Sequence, residues 1–116
     1  MENYQRYLRF VVTYQRIRKH DQCDFEGIVA GSEGYLQAKF YFDPEEWKDS
    51  VYIRIASFWV DSPYGLQEFS VKLDDNNCCA IPKEVLKSDR FYVSVTVASE
   101  NYKVTTNKIK ITQEVI

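Results

Sequence analysis

Apolar and polar residues alternate with a period of two through most of this chain, and that alternation restricts it to sheet. In "YLQAKFYF" the residues Leu36, Ala38, Phe40 and Phe42 fall on one side, with Tyr35, Gln37, Lys39 and Tyr41 on the other. "FYVSVTVAS" repeats the pattern, with Phe91, Val93, Val95 and Val97 facing inward, and "NKIKIT" ends it with Ile109 and Ile111. Helical spacing is confined to "PEEWKD" after Phe42 and "PKEVLKS" after Ile81. Each begins on proline, whose missing N–H costs nothing at a first helical position, and each is expected to be a single turn. About seven to nine short strands at intervals of roughly ten residues predict an all-β, antiparallel β-sandwich with one or two short helical turns. A chain of 116 residues is the length of one such unit, so residues 1–116 are expected to form a single domain.

One segment breaks the alternation. In "SVYIRIASFWV", Val51, Ile53, Ile55 and Trp59 share one parity while Tyr52, Ala56, Phe58 and Val60 share the other, so both faces are apolar. Such a strand is central and covered on both sides, or it offers an apolar face to a partner. The N-terminal segment carries Arg6, Arg9, Arg16, Arg18 and Lys19 against Glu2, a local balance of +4, which leaves −6 for the rest of a chain of net charge −2. Those bases alternate with Tyr7, Leu8, Phe10 and Val12, the look of a solvated strand face, and an acidic remainder would repel phosphate, so no nucleic-acid partner is expected. No apolar run is long enough to span a bilayer and "MENYQRYLRF" lacks the hydrophobic segment of a signal peptide, so a soluble protein made in a cytoplasm, without membrane insertion, is expected.

The stretch "KLDDNNCCAIPKEVL" raises the question of chemistry. Asp and Asn tolerate the conformations of tight turns, so "DDNN" predicts a hairpin tip, and its spacing matches no calcium loop. Cys78 and Cys79 lack the second pair or the histidines of a zinc site, since His20 is the single histidine. Cys79 shares parity with Ile81 and reads as a small buried hydrophobe, with Cys78 outside; Pro82 then ends the strand, and Val85 and Leu86 fold over the open end. Cys23, Cys78 and Cys79 are all read as thiols. His20 has no visible nucleophile to serve, the acids of "DPEEWKD" read as a solvated turn, and Gly27, Gly31, Gly34 and Gly65 form no phosphate loop. No enzyme activity, catalytic residue, cofactor or metal is expected.

The order "YLQAKFYFDPEEWKD", "ASF", "LDDNNCCAIPKEVL", "FYVSVTV" and "TTNKIKI" resembles the immunoglobulin-like domain at the N-terminus of phage baseplate upper proteins, and related short tail proteins of phages of Gram-positive hosts. The pattern runs from about Tyr35 to Ile111, and its most specific residues are Phe40, Phe42, Trp47, Ala56, Phe58, Cys79, Ile81, Pro82, Glu84, Val85 and Leu86. The resemblance implies an immunoglobulin-like sandwich in which Phe40, Phe42, Trp47, Phe58, Cys79, Ile81, Pro82 and Leu86 are structural anchors. It also implies a non-enzymatic module of a phage or prophage tail, resident in the virion and made in the bacterial host cytoplasm. The chain departs from the pattern at "VASENYK", where members often have a turn glycine. Many members also continue into receptor-binding or ring-forming domains, whose roles are not transferable.

Function is therefore expected in protein–protein contact, with other tail proteins or as a homo-oligomer. The residues expected to meet a partner are Ile53 and Ile55 on the second apolar face, together with Tyr7 and Arg9 of the N-terminal segment. The alternative is a carbohydrate-binding module using Trp47, Trp59, Tyr64 and Tyr102.

Overall fold

The computed structural model describes residues 5–44, 46 and 53–116. Nine strands appear among the described residues, in order: β1 (Arg6–Thr13), β2 (Arg16–Lys19), β3 (Leu36–Phe42), β4 (Ile53–Ser62), β5 (Gly65–Lys72), β6 (Cys78–Ala80), β7 (Arg90–Ala98), β8 (Lys103–Thr105) and β9 (Ile109–Thr112). They form two sheets. Sheet I has the order β2-β1-β3-β6, and sheet II has β5-β4-β7, with β8 and β9 both on the far side of β7. The all-β sandwich predicted from the alternation is the observed architecture.

The alternating strands face as their parity predicts. Leu8, Phe10, Val12, Leu36, Ala38 and Phe40 of sheet I meet Ala56, Phe58, Phe91, Val93, Val95 and Val97 of sheet II in one core. Phe10 stacks on Phe40 with ring centres 5.2 Å apart and meets Phe25 edge-on at 5.6 Å. The anchors Phe40, Phe58, Cys79, Ile81 and Leu86 are buried, while Phe42 and Pro82 are half-buried. Trp47 lies outside the described residues, as does most of the "PEEWKD" turn. "PKEVLKS" forms a short 3-10 turn, Lys83–Val85, that buries Val85 and Leu86.

Three features differ from expectation. All pairings were expected to be antiparallel, yet β1 and β3 run parallel in register from Arg6↔Leu36 to Val12↔Phe42. The chain between them makes the β1–β2 hairpin and a long connection before returning, so β1 becomes an inner strand. Second, "DDNN" is not a hairpin tip, because β5 and β6 belong to different sheets; it is the corner by which the chain changes layers. Asp74 Oδ1 accepts from the backbone N–H groups of Asn76 and Cys78 at 2.9 Å each, and Asn77 takes φ 59°, a left-handed conformation that asparagine tolerates. Third, "GIVAGSEG", whose sequence reads as a short strand running into a glycine-containing turn, is no strand: it contributes one parallel bridge, Val29↔Glu114, with Ala30 N–H donating to the Glu114 carbonyl at 2.8 Å. In "VASENYK", where the chain lacks the family's turn glycine, Ser99 Oγ accepts from the Asn101 N–H at 3.3 Å and Ser99 N–H donates to Tyr102 O at 2.9 Å, which closes the turn without it.

One long edge of the sandwich is closed by a side chain. Asn107, between β8 and β9, accepts from the Ile17 N–H at 2.8 Å and donates from its own backbone N–H to the Gln15 carbonyl at 3.2 Å. It thereby stands in for a missing strand beside β2 and ties sheet I to sheet II. The opposite long edge carries β6 and β5.

Candidate interaction surfaces

With even-numbered residues of β1 and β3 in the core, the odd ones form the outer face of sheet I. Tyr7 and Arg9 stand on β1, and the parallel register sets Arg9 beside Lys39 and Val11 beside Tyr41. The Arg9 guanidinium donates to the Tyr41 hydroxyl at 2.6 Å and lies 5.7 Å from the Tyr7 ring centre. The Lys39 ammonium sits 5.5 Å from the Tyr41 ring, and the His20 ring packs against the same tyrosine at 5.1 Å. Tyr7, Arg9 and Lys39, with Asn76 and Cys78 from the corner, line an open depression of about 250 Å³. Like charges side by side on neighbouring strands are mutually destabilising. Among the described residues neither Arg9 nor Lys39 has a carboxylate within ion-pair distance. The depression is therefore suited to an anionic group supplied from outside.

The thiol at its rim is not a nucleophile in waiting. Partial desolvation, and then the Asp74 carboxylate, push the Cys78 thiol up, against the smaller opposing pull of Lys39 and Arg9. A thiol held protonated is a poor nucleophile and metal ligand. Cys23 serves the backbone instead, accepting from the Arg9 N–H at 3.3 Å where β1 has run past the end of β2. Cys78→Ser should change the thermal midpoint by no more than about 2 °C, since Cys78 is half-buried but outside the core, where a substitution is usually worth under about 0.5 kcal/mol. A larger fall, or stoichiometric zinc in the purified wild type by elemental analysis, would contradict this assignment. No group of three or more potential metal-ligating His, Cys, Asp or Glu side chains occurs among the described residues.

The outer face of sheet II is of another kind. Of the two apolar parities in β4, the even one enters the core through Ala56 and Phe58, which turns Ile53, Ile55, Ser57 and Trp59 to the outer face, where Ser57 is nonetheless buried. Ile53 is 49% exposed and Ile55 half-buried. Around them the register places Ala98 and Thr96 of β7 on one side and Lys72 of β5 on the other. Val51 and Tyr52, which extend the same segment, lie outside the described residues. Farther along, Ser57 and Ser70 share a hydrogen bond at 3.2 Å, and the Trp59 indole N–H donates to Ser94 at 2.9 Å.

The four residues expected to meet a partner are thus not brought together. Tyr7 and Arg9 lie on the outer face of sheet I, Ile53 and Ile55 on that of sheet II, with the core between. Within the chain β1 does not cover the second apolar face, because its apolar residues Leu8, Phe10 and Val12 are spent on the core from sheet I. Lys39 and Asn76 completed the basic depression without being singled out from sequence. Lys39 was legible as outward-facing, but its meeting with Arg9 depends on a pairing between strands about thirty residues apart, which alternation does not encode.

Of the aromatic residues expected to stack on sugar, the three that are described, Trp59, Tyr64 and Tyr102, are dispersed. Trp59 carries the Lys108 ammonium 4.4 Å from its ring centre. Tyr64 is fully exposed at the β4–β5 turn, whereas Tyr102 follows the opposite end of β7, next to β8. No described helix is long and apolar enough to cross a membrane. Comparison of the chain with protein-family models, curated proteins and solved structures found no match.

Proposed function

We propose that this chain is a non-enzymatic contact module of a phage or prophage tail or baseplate, resident in the virion, and that it docks through the outer face of sheet II. The observation that carries the reading is the partly exposed apolar end of that face, where Ile53, half exposed, and Ile55, half-buried, stand among Ala98 and Thr96 with Lys72 at the border. An apolar strip rimmed by charge is the usual composition of a docking patch. The tail setting is supported by the resemblance of residues 35–111, whose implied sandwich agrees with the observed two-sheet core.

Light scattering on mixtures with candidate tail proteins tests this. Wild type should form a defined complex, and Ile53→Glu should weaken it about tenfold or more, since a charge buried at an interface without a partner costs on the order of 2 kcal/mol. Because Ile53 is half exposed, that variant should keep its thermal midpoint within a few degrees. If no tail protein binds, or if Ile53→Glu binds as well as wild type, the proposed face is wrong.

A further inference from the structure

We infer that the free edge of β5 pairs antiparallel with the same edge of a second copy, centred on Ser70, to join two sheets II into one. This uses the edge of the sheet, whereas the docking proposed above uses its outer face; Lys72 borders both, and Ile53→Glu tells them apart.

An edge strand exposes a row of unpaired N–H and C=O groups, and proteins ordinarily blunt such edges by shortening them, bulging them, or placing proline or charges there. β5 is neither short, bulged nor interrupted by proline, and the charges it carries, Glu68 and Lys72, are of opposite sign, so they repel a second copy only in the wrong register. It is eight residues long, contains no proline, and keeps unbroken register with β4 from Ile55↔Lys72 to Ser62↔Gly65. Among the described residues it pairs with β4 alone. The direction of its backbone groups follows from one bond: the Leu73 N–H donates to the Arg54 carbonyl at 2.9 Å. Odd residues therefore point their amides toward β4, and Leu66, Glu68, Ser70 and Lys72 direct theirs to the open side.

The side chains at those same positions choose the occupant. When Ser70 opposes Ser70 of a second copy, Glu68 opposes Lys72 of that copy, and the two-fold axis repeats the match. Each of these is a hydrogen-bonded pair, three reciprocal pairs giving about six backbone hydrogen bonds. Phe69 and Val71, half-buried at the rim of the core, then fall opposite one another and carry the apolar layer across the seam. Other centres are less favourable. Centring on Glu68 or Lys72 opposes identical charges, and centring on Val71 sets Glu68 against Asp74. Centring on Phe69 leaves Lys72 opposite Leu66. Within one chain Lys72 has no carboxylate at ion-pair distance among the described residues, and Glu68 accepts from the Ser70 hydroxyl at 3.0 Å. The charge pattern is completed by a second copy.

Charge exchange tests this without endangering the fold, because Glu68 and Lys72 are both exposed. Sedimentation equilibrium should show wild type dimerising. Glu68→Lys and Lys72→Glu should each weaken the dimer about thirtyfold by turning two attractions into repulsions, and the double variant should restore it. An equimolar mixture of the two single variants should form a heterodimer, since each then presents the charges the other lacks. A wild type that stays monomeric at millimolar concentration overturns the inference, as does a dimer indifferent to both reversals. A dimer dissolved by Ile53→Glu and untouched by the charge variants overturns it while leaving the docking face of sheet II standing. Pairing of β5 with a peptide of another protein in place of self-association overturns it as well.

Discussion

Phe58→Ala should be the most damaging single substitution in β4, lowering stability by about 3–5 kcal/mol and the thermal midpoint by about 10–20 °C. The ring is fully buried at the centre of sheet II, within 6.5 Å of the Phe91 ring centre, and its strand is paired on both edges. Truncation removes its apolar contacts and leaves a cavity that two hydrogen-bonded neighbours, β5 and β7, prevent from collapsing. Trp59→Ala, one residue along and facing outward, should cost much less. Thermal unfolding of both variants by circular dichroism checks the parity of β4 directly. A Trp59 variant as damaged as the Phe58 variant would mean that the outer face of sheet II is covered.

Raising the pH from 8 to 12 should cost the wild type stability that Cys79→Ala does not lose. Burial, then the neighbouring Cys78 and Asp74, push the Cys79 thiol from its ordinary value of 9.0 up to about 12. Below pH 9 the thiol is protonated in both the folded and unfolded chain, and its contribution to stability is fully present. Between 9 and 12 the unfolded chain releases the proton while the folded one retains it, so unfolding is favoured as pH rises. Above about 12 the loss levels off. At about 1.4 kcal/mol for each unit of difference, it amounts to roughly 2–4 kcal/mol. The two proteins share every other side chain, so the difference between wild type and Cys79→Ala isolates the thiol. Urea unfolding at pH 8, 10 and 11.5 should show Cys79→Ala modestly weaker at pH 8 and the two proteins converging as pH rises. Parallel stability curves would sink the assignment of Cys79 to the core.

The layered fold was legible because burial is written into residue parity. β3 and β7 place every alternate residue as the pattern demands, and the doubly apolar β4 is indeed an inner strand of its sheet. What parity cannot carry is which strands are neighbours and in which direction they run. "LDDNNC" looks the same whether the chain turns back within a sheet or crosses to the next. Phe10 and Phe40 are equally apolar whether their strands are parallel or antiparallel. The same limit governs the surfaces. Ile53 and Ile55 could be named from one strand, but the basic depression needs Arg9, Lys39 and Asn76 from three segments. The hairpin turn at Tyr14, φ 53°, was hidden for a further reason: tyrosine there replaces the glycine or asparagine that ordinarily announces such a conformation.

The parallel pairing of β1 with β3 imposes an order of assembly during synthesis. β4 and β5 are joined by a turn of two residues, Pro63 and Tyr64, and can zip as soon as both have been made. β1 has no such local partner on its inner side. Until Phe42 has left the ribosome, the strand carrying Leu8 and Phe10 has only the short β2 beside it, and its apolar residues wait uncovered. Long-range pairings of this kind must close a large loop before any contact repays the lost chain entropy, which makes them slow. The nascent chain is thus most exposed to aggregation, and most in need of a chaperone, before sheet I closes around its first strand.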